Sequence, residues 1–157
     1  MPSVLFVCTG NLYRSPTAAA FFSKKLQAAG RAQDWVIESA GTWTAAGQGI
    51  PRKVLRVASS LGIDLSQHIT RQVDRVLLEQ SDLVVVMEKG HKEALGIEFP
   101  VVQNKLQLLS EMGDQLAYDI PDPLQSSQEF AVIAGQISGL IERGFDRMCQ
   151  LAGQVCE

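Results

Sequence analysis

Three cysteines and two histidines are all that this 157-residue chain offers as soft metal ligands. They are scattered, which excludes a disulfide framework and leaves no ligand-like cluster for a metal. Neither sign of charge dominates, since 14 Lys and Arg face 17 Asp and Glu for a formal net charge of −3. With no long basic run, nucleic acid is excluded as a partner. The apolar run Leu83–Met87 is far too short to span a bilayer, so no membrane association is expected. There is no internal repeat, low-complexity tract or linker. The scarcity of cysteine favours a reducing compartment, and a functional motif that begins at Val7 leaves no room for a signal peptide, so a cytoplasmic protein is expected. What remains is an ordinary globular balance of 46% hydrophobic and 20% charged residues, enough for one domain over residues 1–157.

The apolar residues fall into short runs separated by amphipathic stretches. Strands are expected at Val4–Val7, Val36–Ser39, Leu83–Met87 and near Val101–Val102. Helices are expected at Thr17–Ala29, Pro51–Leu61, within Arg71–Gln80, near His91–Leu95 and over Gln128–Ala152, with a glycine-rich loop at Gly41–Ile50. Strand alternating with helix implies an α/β fold: a single doubly wound parallel sheet of about four strands with helices on both faces. The loop after the first strand then opens at the carboxyl edge of the sheet, where ligands bind in such folds.

That loop carries the chemistry. Val4-Leu5-Phe6-Val7 ends at Cys8, Thr9-Gly10-Asn11-Leu12-Tyr13 turns, and Arg14-Ser15-Pro16 opens a helix. Backbone N–H groups of such a loop, with the partial positive charge of a helix N-terminus, make an anion site with a nucleophile at its floor. A thiol attacks only as thiolate, and both the helix end and a nearby cation favour that form. Arg14 offers a planar fork matched to two phosphate oxygens. Gly10 admits close backbone approach and dihedrals that other residues resist, and Asn11 tolerates a left-handed conformation. Ser15 has two available roles, donor to the Cys8 sulfur or N-cap of the helix, and the spacing does not separate them. Thiolate attack on a phosphate ester also needs an acid for the departing oxygen. Asp119 and Asp122 both sit in a late loop, and Pro121 and Pro123 stiffen the chain around Asp122.

Val7-Cys8-Thr9-Gly10-Asn11-Leu12-Tyr13-Arg14-Ser15-Pro16-Thr17-Ala18 resembles the signature loop of the low-molecular-weight protein tyrosine phosphatases. Ile37–Thr42, Ser66–Gln72, Ser81–Glu88 and Ile120-Pro121-Asp122-Pro123 resemble further landmarks of that family, so the likeness runs nearly end to end. The resemblance implies hydrolysis of phosphotyrosine with Cys8 as nucleophile, Arg14 as phosphate clamp and Asp122, over Asp119, as general acid and base. It further implies that Thr9 to Tyr13 and Ser15 form the phosphate-binding loop, and that His68 joins Asn11, Ser15 and Ser39 in a supporting network. No metal or other cofactor is implied. The partners are phosphotyrosine proteins or peptides, with a tyrosine kinase as the candidate opposing enzyme.

The chain departs from the family pattern at two places. Tyr13 stands where many members carry a second loop cysteine, so a protective disulfide with Cys8 is not available and peroxide should over-oxidise Cys8 irreversibly. Leu124 stands where an aromatic often follows Asp-Pro, so the substrate slot is expected to be walled by Leu12, Leu124 and, as the replacement aromatic, Trp43. His91 is expected as a solvated residue at a helix start, Arg52, Lys53 and Arg56 as a solvated helix face, and Cys149 and Cys156 as structural filler. Three alternatives share the signature. A protein arginine phosphatase has the same cradle but typically a small polar residue in place of Leu12. A thioredoxin-coupled arsenate reductase needs a shuttle pair of cysteines, and none lies between Cys8 and Cys149. A non-catalytic phosphoprotein-binding module does not need Cys8, Arg14 and Asp122 together.

Overall fold

Six consecutive buried residues, Ser3–Cys8, form β1 at the centre of a four-stranded sheet in a computed structural model that describes residues 1–123 and 127–153. The strand order is β2–β1–β3–β4, all parallel, with β2 at Val36–Gly41, β3 at Leu83–Val86 and β4 at Leu106–Leu108. β1 pairs with β2 through Cys8 opposite Gly41, and with β3 through Val7 opposite Val86. The continuous apolar run is explained by burial on both faces. Val4, Phe6 and Cys8 point into one core, and Leu5 and Val7 into the other.

The first core is closed by α1 (Arg14–Ala28), α2 (Arg52–Ser60), α5 (Leu109–Asp114) and α6 (Ser127–Leu151). Phe22 of α1 is its hub, with ring centroids 5.7 Å from Phe6 and 4.9 Å from Phe145. Burying a side chain of that size contributes about 1.5–3 kcal/mol. α5 lies against α6 with backbones nearly touching, because a Cβ on Gly144 would sit 2.7 Å from the Met112 carbonyl carbon. The second core is closed by α3 (Arg75–Gln80) and α4 (Lys89–Glu98) through Leu77, Leu78 and Leu95. Helices therefore cover both faces. The chain leaves β1 toward β2 on one side and later returns to β3 on the other, so the order reverses at β1 and opens a crevice beyond Cys8.

Three expectations are corrected. Val101–Val102 is not a strand: Pro100–Lys105 is a 3-10 turn, with Val102 buried and Val101 exposed, and the fourth strand follows at Leu106–Leu108. The β-branched pair has the propensity of a strand, but pairing with Val84 and Val86 falls to Leu106 and Leu108. α5 was not foreseen, because a six-residue helix shows too little periodicity to be read. Cys149 is not mere filler, since it is disulfide-bonded and fully buried on α6, and Cys156 lies outside the described residues. Among the described residues no helix is long and apolar enough to cross a membrane.

Candidate active site

The loop between β1 and α1 is held from behind by one side chain. Asn11 is fully buried in the left-handed region, with φ of 57°, and every polar atom of its amide is engaged. Its Nδ2 donates to Ser15 Oγ (2.8 Å) and Ser39 Oγ (3.0 Å), and its Oδ1 accepts from the Arg71 backbone N–H (2.9 Å). Its carbonyl accepts from Nε2 of half-buried His68 at 2.7 Å, which fixes the proton of that ring on Nε2. Burial holds the His68 pKa below the ordinary imidazole value, against the opposing bond to Asn11. The positive φ falls on Asn11 and not on Gly10, so the dihedral expected of Gly10 belongs to its neighbour. A polar side chain that bonds its own surroundings meets the energetic cost of that conformation.

Cys8 is buried at the end of β1, with Sγ 3.0 Å from Ser15 Oγ. Helix α1 begins at Arg14, and its N-cap Tyr13 offers no side-chain bond, so Ser15 lies inside the first turn and is not the cap. With the Asn11 amide donating to it, the Ser15 hydroxyl has its proton for Cys8 Sγ or for the more distant Ala40 carbonyl at 3.4 Å. Tyr13 turns away from Cys8 to pack on the first core, 6.2 Å from the Phe130 ring. Leu12 is half-buried, and Trp43 stands 84% exposed with its backbone N–H on the Thr9 carbonyl at 3.0 Å. Trp43 is therefore no core anchor. Leu124 lies outside the described residues. Arg52, Lys53 and Arg56 are exposed on α2.

Arg14 is the largest fully buried side chain, at 1% exposure. A buried cation needs partners. Nη1 donates to Glu88 Oε2 (2.5 Å) and to the Ile120 carbonyl (2.7 Å), while Nη2 lies 3.6 Å from Asp122 Oδ2 and 3.5 Å from Thr9 Oγ1. Its Nε has no hydrogen-bond partner among the described residues. One edge of the fork is thus fixed by protein, and the other keeps unused donor capacity. Asp122 is partly buried, and burial raises its pKa above the ordinary carboxylate range. Arg14 opposes that rise and Glu88 adds to it. Asp119 instead accepts from the Lys89 N–H at 2.7 Å, at the start of α4. The Ile120 N–H donates to the Met87 carbonyl at 3.0 Å, which ties the segment bearing Asp122 to the end of β3.

Three residues at the site went unread in the sequence. Glu88 is the main counter-ion of Arg14. His91, expected in solvent, is buried beneath Thr9, with Nε2 2.8 Å from Thr9 Oγ1. Gly41 is required by contact, since a Cβ there would stand 2.5 Å from the Thr9 carbonyl oxygen and 3.1 Å from Asn11 Cβ. Gly41→Ala is expected to lower stability by about 1–3 kcal/mol, as overpacking does, and to weaken phosphate binding by displacing the loop. Urea denaturation and phosphate titration of the variant test both, and an unchanged phosphate affinity would count against the displacement. Only the Gly in Ala40-Gly41-Thr42 could have been suspected, as a glycine closing a strand.

The family model described as low molecular weight phosphotyrosine protein phosphatase matches residues 3–152. The chain belongs to that family. It is a low molecular weight protein tyrosine phosphatase by class, a phosphoric monoester hydrolase. The low molecular weight protein-tyrosine-phosphatase Wzb of Escherichia coli K12 is 33% identical over 132 residues, covering 83% of this chain and 84% of its own. Among solved structures, the low molecular weight protein tyrosine phosphatase of T. tengcongensis is 32% identical with a TM-score of 0.85, covering 94% of this chain and 99% of its own. The YwlE arginine phosphatase of Geobacillus stearothermophilus is 28% identical with a TM-score of 0.81, covering 91% of this chain and 90% of its own.

Proposed function

We propose that this phosphatase hydrolyses phosphotyrosine in protein or peptide substrates through a cysteinyl-phosphate intermediate. The observation that carries the reading is the buried Arg14 guanidinium, whose Nε lacks a partner among the described residues, in a site where Cys8 and Asp122 also converge. The Cys8 thiolate attacks phosphorus in line with the departing phenolic oxygen, so that the S–P bond forms as the P–O bond breaks. Loop N–H groups and the free edge of Arg14 hold the equatorial oxygens, and Ser15 donates to the sulfur. Asp122, whose burial favours the protonated carboxyl, gives its proton to the leaving oxygen. The resulting carboxylate then takes a proton from water as that water attacks phosphorus, releasing phosphate and restoring the thiolate.

Asn11, Ser39 and His68 hold the loop, and Leu12 with Trp43 walls the slot for the phenol ring. Phosphotyrosine must be supplied by a tyrosine kinase, and the chemistry needs a setting that keeps Cys8 as a thiol while the Cys149 disulfide persists. The second reading is phosphoarginine, favoured by the likeness to the YwlE structure. Leu12 speaks against it, because an aliphatic wall offers nothing to a guanidinium and packs well against a phenol. Turnover on matched phosphotyrosine and phosphoarginine peptides, without added metal, decides between them. Faster phosphotyrosine release is expected. Preference for phosphoarginine would keep the mechanism and overturn the substrate.

A further inference from the structure

His91 has no part in the chemistry just described, yet it is 7% exposed and bonded at both ring nitrogens. Nδ1 accepts from the Glu88 backbone N–H at 3.2 Å, at the N-terminal end of α4. An accepting Nδ1 puts the proton of the neutral ring on Nε2, which donates to Thr9 Oγ1 at 2.8 Å. The same hydroxyl faces Arg14 Nη2 at 3.5 Å. A single imidazole therefore joins the residue that carries the Arg14 counter-ion to the first residue of the phosphate loop. The sequence separation is 82 residues, so the link exists only in the folded chain.

We propose that His91 is a positioning residue for the phosphate cradle: its neutral form, with the proton on Nε2, holds Thr9 and thereby the Arg14 fork in register, and a second proton releases that hold. The inference rests on the reading of the loop as a phosphate site. A proton on Nδ1 would face the Glu88 N–H donor, so that bond is lost. The new cation would then compete with Arg14 for the Glu88 carboxylate, whose Oε2 lies 3.7 Å from Nε2. Charges around the ring come from several elements. Glu88 beside it and Asp119 in the segment before Asp122 favour the cation, while Arg14 of α1 opposes it. Lys89 and Lys92 share its helix, the latter paired with Glu111 of α5 at 3.1 Å. Burial outweighs the favourable charges and keeps the ring below the ordinary imidazole pKa, so the neutral form prevails at neutral pH.

The test is competitive inhibition by inorganic phosphate, measured against an aryl phosphate in the wild type and in His91→Asn from about pH 4 to 7.5, a range carried below ordinary imidazole titration because burial lowers this ring. Asn can still accept from the Glu88 N–H but does not reach Thr9. The inhibition constant should rise about fivefold at pH 7.5, the worth of one hydrogen bond. The ratio of variant to wild type should fall toward one at the acid end, where the wild type has lost the same hold. Ionisation of phosphate itself cancels in that ratio. His91→Gln, long enough to reach Thr9 and without a titrating ring, should regain affinity and keep it at the acid end. Thr9→Val should match His91→Asn, and the double variant should be no weaker than either. A ratio of one at every pH, a ratio that does not change with pH, or additive losses would overturn the proposal. Absence of phosphate inhibition in the wild type would overturn the phosphate-site reading itself, a result separable from a ratio of one with inhibition intact.

Discussion

Cys8→Ser is expected to lower turnover by at least about four orders of magnitude, as loss of an essential nucleophile does elsewhere, while phosphate still binds. The variant replaces one buried atom with a smaller one, and the Ser15 hydroxyl that faces the sulfur can bond a serine oxygen in its place. Asn11 keeps its four bonds, and Arg14 keeps Glu88 and the Ile120 carbonyl. A serine hydroxyl has no anionic form near neutral pH and cannot attack as a thiolate does. Single-turnover assays with an aryl phosphate, beside calorimetric titration of inorganic phosphate, separate chemistry from binding. Substantial residual turnover would sink the cysteinyl-phosphate route. Loss of phosphate binding along with turnover would mean that the sulfur holds the loop together, a structural role that the contacts do not suggest.

Asp122→Asn is expected to slow turnover by about 10²–10⁴-fold for phosphate esters of weakly acidic phenols, the usual worth of a general acid. Esters of strongly acidic phenols should lose far less at the first step, since their leaving group needs no proton. A plot of rate against leaving-group acidity should therefore steepen, whereas equal losses across the series would mark a positional role. The pH profile carries the same signature. An acid that must hold its proton loses activity as pH rises through its raised pKa, so the basic limb should flatten in the variant. Stability moves the other way. A carboxyl whose folded pKa lies above its unfolded value contributes stability below that unfolded value and loses it as pH rises through the folded one. At neutral pH the ionised Asp122 is thus a burden that asparagine lifts, and Tm measured at pH 7 should rise in the inactive variant. An unchanged or lower Tm would show that the Arg14 contact outweighs burial.

The two halves of this site were unequally legible. The Cys8–Arg14 spacing, the strand before it and the helix after it are local features, and local features survive in a one-dimensional reading. The parallel sheet with helices on both faces followed from alternation of strand and helix. Ser15 shows the limit of that reading, because a serine ahead of a proline suits both a cap and a buried donor, and only the start of α1 at Arg14 separates them. Glu88 and His91 were hidden for a different reason. They reach Arg14 and Thr9 across 74 and 82 residues, and nothing in Glu88-Lys89-Gly90-His91 distinguishes it from an exposed polar turn. Asp122 was preferred to Asp119 for its flanking prolines and its likeness to the family, and the structure adds that a backbone N–H has already claimed the Asp119 carboxylate. The misplaced fourth strand belongs to the same class. Val101 and Val102 look like strand residues until β3 is seen to pair further along.

The central position of β1 has a consequence for how the protein is made. Translation delivers Ser3–Cys8 before any of its sheet neighbours, yet this strand pairs on both edges and is buried on both faces. Val36–Gly41 must follow to cover one edge and Leu83–Val86 to cover the other, and Ile120 must emerge before the Arg14 guanidinium has its carbonyl partner. Until then the growing chain carries an apolar, β-prone segment with two open edges, the kind of segment that seeks pairing with other chains. Chains stalled before β3 should gather into aggregates instead of folding part-way, and the loop between β1 and α1 should be completed late although its residues come first.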